Sequence, residues 1–421
     1  MSAKLALLGG PKAVSVDLAA ATKWPEVTAE DEAAVLEVLR AGTMSELDVT
    51  KQFEKEFAAW IGCDYCLGHC NGTAALHAAM FAVGIGVGDE LLCPSMTYWA
   101  SSLQAYLLGA TPVFVDIDPE TLCIDPNDIE RWISPRTKAI MVVHYSGYPC
   151  DMDAINEIAQ KHGLRVIEDV SHAHGTRYKG RMAGTLGDVS AMSCMSAKSL
   201  AAGELGVLAT NDRLVYERAI AFGHYRRHDE LTYPELVKFK GYPLSGEKYR
   251  ANQLASALGR TQLRRYDERA TRIQEAMNYF WDLLEGCPGI RPHRPPKDSG
   301  STMGGWYNAR GLYRADEIGG LDIRRFCEAV TAEGCPTSPG ANTPMHVHPV
   351  LNDCDIYGHG KPTRIAHSER DVRQPPEALP VSLRIAQICF GIPWFKKMDK
   401  QAIEQSAAAF KKVAENHGQL L

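Results

Sequence analysis

The chain has 421 residues, 45% of them hydrophobic and 23% charged, with a formal net charge of −6 at pH 7. That is enough apolar material for one large core and a smaller one beside it. No run of Lys or Arg is dense enough to neutralise a phosphate backbone, so nucleic-acid binding has no electrostatic support and small molecules are the expected partners.

The apolar start Leu5-Ala6-Leu7-Leu8 is short for a signal peptide and is broken by Gly9-Gly10-Pro11. No later segment approaches the roughly 20 apolar residues of a membrane span, so a cytoplasmic location without membrane contact is expected. Twelve cysteines are scattered along the chain, which suits a reducing compartment where thiols act as small buried hydrophobes. Cys63, Cys66, His69 and Cys70 put soft ligands close together, but a zinc site wants a second pair at a defined spacing and the next cysteine, Cys93, stands alone. They are read as buried thiols of a strand, and no metal is expected.

From about residue 51 to 208 helical stretches alternate with short apolar runs, the pattern of βαβ units feeding a mainly parallel sheet. Strands are expected over residues 65–68, 90–93, 111–115, 139–143, 165–168, 191–194 and 207–210, with helices such as 73–83, 101–108 and 152–162 between them. Residues 139–143 are continuously apolar, as a strand buried on both faces must be. Past residue 220 Arg and Tyr cluster over 224–233, a long helical stretch covers 252–284, a Pro-rich connection lies at 291–296, and helices are expected near 323–333 and over 400–413. The chain therefore reads as α/β: a large domain over 1–250, a linking helix over 251–285 and a smaller α+β domain over 286–421.

Three segments carry chemistry. Asn71-Gly72-Thr73-Ala74-Ala75-Leu76 is a strand end, a Gly turn and a helix start, which offers unpaired N–H groups and a positive dipole end to an anion. Ordinary helix capping explains the same residues, and in isolation it is the simpler account. The run Val166 to Gly175 ends an apolar strand in Glu168, Asp169, His172 and His174, where ligands of open α/β sheets bind. Metal binding by Asp169, His172 and His174 is one reading of it. A carboxylate facing a pyridinium nitrogen, with an imidazole facing the phenolic oxygen of the same ring, is another. Finally, Ser193-Cys194-Met195-Ser196-Ala197-Lys198 and the return Ala201 to Gly206 flank a lysine with small residues, as a desolvated but reachable Schiff-base lysine requires.

In this order and spacing the segments resemble the DegT/DnrJ/EryC1/StrS family of aminotransferases dependent on pyridoxal 5′-phosphate (PLP), fold-type I enzymes that aminate keto-sugars and keto-cyclitols. The likeness runs from about Trp24 to the final helix. Its densest stretches are the Asn71 turn, Val143-His144-Tyr145-Ser146-Gly147-Tyr148-Pro149 with Asp151-Met152-Asp153, the Glu168-Asp169 strand end and the Ser193 to Lys198 segment. The resemblance implies that Lys198 carries the cofactor and shuttles the proton, that Asp169 keeps the pyridine nitrogen protonated, and that His172 stands near the phenolic oxygen. Thr73, Ala74 and Ser193 match the phosphate cradle, and Tyr98 matches the aromatic that stacks on the ring, with Trp99 beside it expected in the core. The turn Gly246-Glu247-Lys248-Tyr249-Arg250 matches a segment that reaches the cofactor phosphate of the neighbouring subunit, so Lys248 and a homodimer with shared active sites are expected.

Two residues depart from the family pattern beside the lysine: Leu205 replaces a common Gly, and Met195 a common Phe, Gln or His. Lys198 itself argues against the family's dehydratase branch, where a His takes its place. The expected reaction moves an amino group from Glu or Gln, through pyridoxamine phosphate (PMP), to a ring ketone. The segment Leu5 to Lys12 with Trp24-Pro25 looks like members acting on inososes or making aminohydroxybenzoate, which leans toward a cyclitol or related ring ketone. An aromatising enzyme of the aminohydroxybenzoate type and a non-catalytic PLP-binding regulator are the alternatives. For the donor carboxylate, Arg250 and Arg364 are candidates by chemistry alone, and His346 and His348 are expected to be exposed loop histidines.

Overall fold

The computed structural model describes residues 3–421; Met1 and Ser2, at the head of the expected 1–250 span, lie outside the described residues. Seven strands form the main sheet: β1 (Tyr65–His69), β2 (Glu90–Pro94), β3 (Thr111–Val115), β4 (Thr137–Val143), β5 (Arg165–Asp169), β6 (Val189–Ser193) and β7 (Gly206–Thr210). Their order is β1-β7-β6-β5-β4-β2-β3. Neighbours from β6 to β3 are parallel, and β7 is antiparallel to both strands beside it. This is the mainly parallel α/β sheet expected from the sequence, with strand ends moved by one or two residues.

The longer helices are α1 (Ala29–Ala41), α2 (Asp48–Ile61), α3 (Gly72–Ala82), α4 (Met152–His162), α5 (Arg213–Gly223), α6 (Gln253–Arg264), α7 (Tyr266–Leu283), α8 (Ile323–Ala332) and α9 (Lys400–Glu415). Among the described residues no helix is long and apolar enough to cross a membrane. The Ala-rich α3 is buried along nearly all of its length, because small side chains let it lie close on β6 and β7. A second, antiparallel sheet of β8 (Ile290–Pro292), β9 (Arg310–Tyr313) and β10 (Cys389–Gly391) shares an apolar core with α7, α8 and α9, and Leu5 and Val14 of the N-terminal segment pack into that core.

Two expected helices break. The stretch over 252–284 divides at Arg265, whose guanidinium turns aside to both carboxylate oxygens of Asp31 at 2.7 Å. The stretch over 101–108 becomes a 3-10 turn at Trp99–Ser101 and a short helix at Gln104–Leu107. There the Ser101 hydroxyl is drawn into a buried polar network instead of the helix. Trp99, expected in the core, is 41% exposed.

Candidate active site

At the carboxyl ends of the parallel strands lies a cavity of about 340 Å³, where open α/β sheets place their ligands. The start of α3 forms one wall. Asn71 is extended, and its side chain accepts the Ala74 N–H at 2.9 Å, so Ala74 is buried and its donor is already used, while Gly72 and Thr73 line the cavity. A Cβ on Gly72 would stand 2.5 Å from Ser193 Cβ, and one on Gly206 would stand 2.1 Å from the Asn71 carbonyl oxygen. Only glycine allows β6, β7 and α3 to approach this closely, and the approach puts Ser193 beside Thr73.

The strand end at 168–169 splits by the two-residue period of a strand. Asp169 lines the cavity. Its Oδ2 accepts from Ser101 Oγ at 2.7 Å and its Oδ1 from the Ser171 N–H at 3.0 Å. Glu168 faces the other way and accepts the N–H groups of Gly184, Leu186 and Gly187, each at 2.7 Å, with His144 Nε2 at 3.0 Å.

The two histidines divide as well. His172 lines the cavity, its ring 5.4 Å from that of Tyr145 and 4.7 Å from that of Tyr307. Burial, helped by the positive charges of Lys198 and Arg310, holds its pKa well below the usual value, so it is neutral. Its Nδ1 accepts the Ser146 N–H at 3.4 Å, which leaves the proton on Nε2. His174 turns into the protein toward Ser199 Oγ and Cys194 Sγ, and burial pushes its pKa down to about 3. Among the described residues no three His, Cys, Asp or Glu side chains gather as metal ligands.

Lys198 closes the cavity, with Nζ 4.0 Å from the centre of the Tyr307 ring. Burial lowers its pKa to about 8 against the opposing pull of Asp169. Tyr98, 49% exposed, stands at the mouth beside Trp99. Met195 lines the cavity and Leu205 is fully buried in the core beneath it. Of the expected site residues, Thr73, Tyr98, Asp169, His172, Ser193 and Lys198 share this cavity. Lys248 is exposed and outside it.

Other candidates lie elsewhere. Arg364 is buried over the Phe114 ring at 4.1 Å and bonds Gln374 Oε1 at 2.6 Å. Arg250 stacks on Tyr225 at 5.1 Å. His346, expected to be exposed, is fully buried, pinned between Ser95 Oγ at 2.7 Å and the Pro376 carbonyl at 3.1 Å.

The sequence reading missed Ser101, Tyr307, Asn308 and Asn342. The signal for two of them was Gly304-Gly305. Side chains at these positions would stand 2.2 Å from the His174 carbonyl oxygen and 2.3 Å from Ser199 Cβ, and the left-handed residues Trp306 and Asn308 follow. Tyr307 and Asn308 also form a common wall with an outer cleft of about 790 Å³ lined by Trp24, Trp394 and Arg310.

Known proteins share this architecture. The family model of DegT/DnrJ/EryC1/StrS aminotransferases matches residues 25–411. The chain is 32% identical over 417 residues to L-glutamine:2-deoxy-scyllo-inosose aminotransferase of Streptoalloteichus tenebrarius, covering 94% of this chain and 95% of that protein. It is 37% identical over 346 residues to GDP-perosamine synthase of Caulobacter vibrioides, covering 78% of this chain and 88% of that protein. The crystal structure of 3-amino-5-hydroxybenzoic acid synthase matches with a TM-score of 0.78 at 26% identity, covering 94% of this chain and 98% of that one.

Proposed function

This chain belongs to the DegT/DnrJ/EryC1/StrS aminotransferase family and has its PLP-dependent fold type I; on that premise we propose that it moves an amino group from L-glutamine or L-glutamate, by way of PMP, to a ketone on a cyclitol or sugar ring. The observation that carries this reading is a single cavity with a carboxylate, a neutral imidazole, a lysine of lowered pKa and a helix N-terminus on its walls.

Those residues fit PLP. Thr73 and Ser193, crowded together by side-chain-free Gly72, with the first turn of α3, would hold a phosphate. Asp169 would face the pyridine nitrogen, His172 the phenolic oxygen, and Tyr98 the ring. The bound cofactor supplies an electron sink for the charge left when a substrate Cα–H is broken.

The chain's own groups do the rest. Asp169, fixed by Ser101 and the Ser171 N–H, holds a proton on the pyridine nitrogen. His172, with its proton on Nε2, donates a neutral hydrogen bond. Lys198, with a pKa of about 8, is basic enough to take the Cα proton and acidic enough to return it at the carbon that receives it. Lys248 of one subunit completes the phosphate site of the other in a homodimer.

A relative that covers 94% of the chain acts on an inosose, as its name says, which supports a free cyclitol ketone as acceptor over a nucleotide-linked sugar. The test is to load purified protein with PLP, add L-glutamine or L-glutamate, and follow the cofactor absorbance. Conversion to PMP should follow, and the PMP form should then aminate a cyclitol ketone. A protein that binds PLP and responds to neither donor is a regulator, and the reading fails.

A further inference from the structure

Arg310 is a cation without a counter-ion. Arg291, Arg294 and Arg314 on the same part of the chain pair with Glu317, Asp282 and Glu120. Among the described residues Arg310 has no such carboxylate. Its Nη2 donates to Asn308 Oδ1 at 3.0 Å, and its Nε is buried with no hydrogen-bond partner. An unpaired guanidinium in a half-buried position is costly unless something else completes it.

Its placement says what that is. Arg310 begins β9 and stands opposite Gly391 of β10, where any Cβ would lie 3.1 Å from its Nη1. The missing side chain leaves the guanidinium room. Its guanidinium also meets the buried Tyr145 hydroxyl, its charge reaches His172 and Tyr307 on the cavity wall, and among the described residues it is the one charged side chain on the wall of the outer cleft. Tyr307, three positions earlier, is the ring against which Lys198 Nζ rests. A molecule whose amine sits at Lys198 and whose other end extends past Tyr307 and Asn308, which line both spaces, comes toward Arg310.

We infer that Arg310 binds the α-carboxylate of the amino donor, and so sets the enzyme's preference for amino acids over simple amines. A planar fork with two parallel N–H donors matches one carboxylate, whereas a diphosphate would call for more cations than this cleft's wall carries. The assignment rests on the aminotransferase reading above.

The test compares L-glutamine with 4-aminobutanamide, the same molecule without its α-carboxylate, as donors to PLP-loaded protein, followed by cofactor absorbance. In the unsubstituted protein L-glutamine should be favoured by about 100-fold in kcat/KM, the worth of a bidentate charge-assisted contact. In Arg310→Gln that preference should fall to below about 10-fold, because L-glutamine slows while the amine does not, and Arg310→Lys should restore part of it. Amination of the ketone by PMP-loaded Arg310→Gln should fall less than the L-glutamine half-reaction does. Equal slowing of both donors, a preserved preference, or a loss confined to the ketone step overturns the assignment. An unsubstituted protein inert toward both amines instead overturns the aminotransferase reading, and this inference with it.

Discussion

Glu168 and Asp169 are adjacent on β5 and serve opposite faces of the sheet: Glu168 ties down the 184–187 loop through three backbone N–H groups, and Asp169 stands in the cavity. Their amide variants should therefore separate stability from catalysis. Glu168→Gln turns an acceptor into a donor facing buried N–H groups and should cost about 3 kcal/mol of unfolding free energy, read in a denaturant titration. Asp169→Asn should leave unfolding nearly unchanged and slow the donor half-reaction by roughly 100-fold or more with PLP still bound. Near-normal rates in Asp169→Asn would show that this carboxylate is structural too.

The amine of Lys198 should be visible in the pH dependence of the cofactor-free protein. Its folded pKa, about 8, lies below its ordinary 10.5 because of burial, so the unfolded chain holds the extra proton between those values. The penalty for keeping the amine charged is complete below about pH 8, and it is relieved as pH rises toward the unfolded value. Relative to Lys198→Met, the unsubstituted protein should gain a few kcal/mol of stability from about pH 7 to about pH 10. Parallel curves for the two proteins would mean that the amine is solvated.

Borohydride reduction of PLP-loaded protein should fix the label on the peptide containing Lys198, and Lys198→Ala should lose both label and turnover. A label on Lys248 would sink the assignment.

Gly206→Ala should damage the phosphate site, because the new Cβ would lie 2.1 Å from a backbone oxygen of Asn71 that cannot move without shifting the start of α3. PLP affinity should fall by about 10-fold or more, with a lower Tm. Gly86→Ala, where the added Cβ meets nothing, is the matched control and should change neither.

Lys248→Ala should weaken PLP binding by roughly 1–3 kcal/mol if its ammonium meets the phosphate. Mixed dimers decide which subunit it serves. With Lys198→Ala in one subunit and Lys248→Ala in the other, action across the interface puts both lesions in one site and leaves the second intact. Action within a subunit damages both sites, and activity then does not exceed that of the Lys248→Ala parent. A fully active monomer on sizing would refute the arrangement outright.

How much of this was legible in the sequence depended on the range of the interaction concerned. The strands of the parallel sheet, the Asn71 turn and the flanked lysine were local patterns, since period, capping and small-residue spacing act between neighbours in the chain. Which of two adjacent acids, and which of two nearby histidines, enters the cavity came from the family resemblance and not from local pattern, because it depends on strand phase and on where Ser101, Ser199 and the 184–187 loop come to lie. Arg364 and Arg250 were candidates by type alone, and packing took both elsewhere, while His346, expected to be exposed, is buried between Ser95 and Pro376. Arg310, Tyr307 and Asn308 lie more than a hundred residues beyond Lys198. Tyr307 meets the lysine, with Asn308 and Arg310 following it in the chain, only because the Gly304-Gly305 turn presses the chain against His174 and Ser199, a contact that sequence spacing does not record. The residues proposed for the cofactor thus lie in local motifs, whereas the proposed donor contact depends on tertiary structure, because it joins segments far apart in the chain.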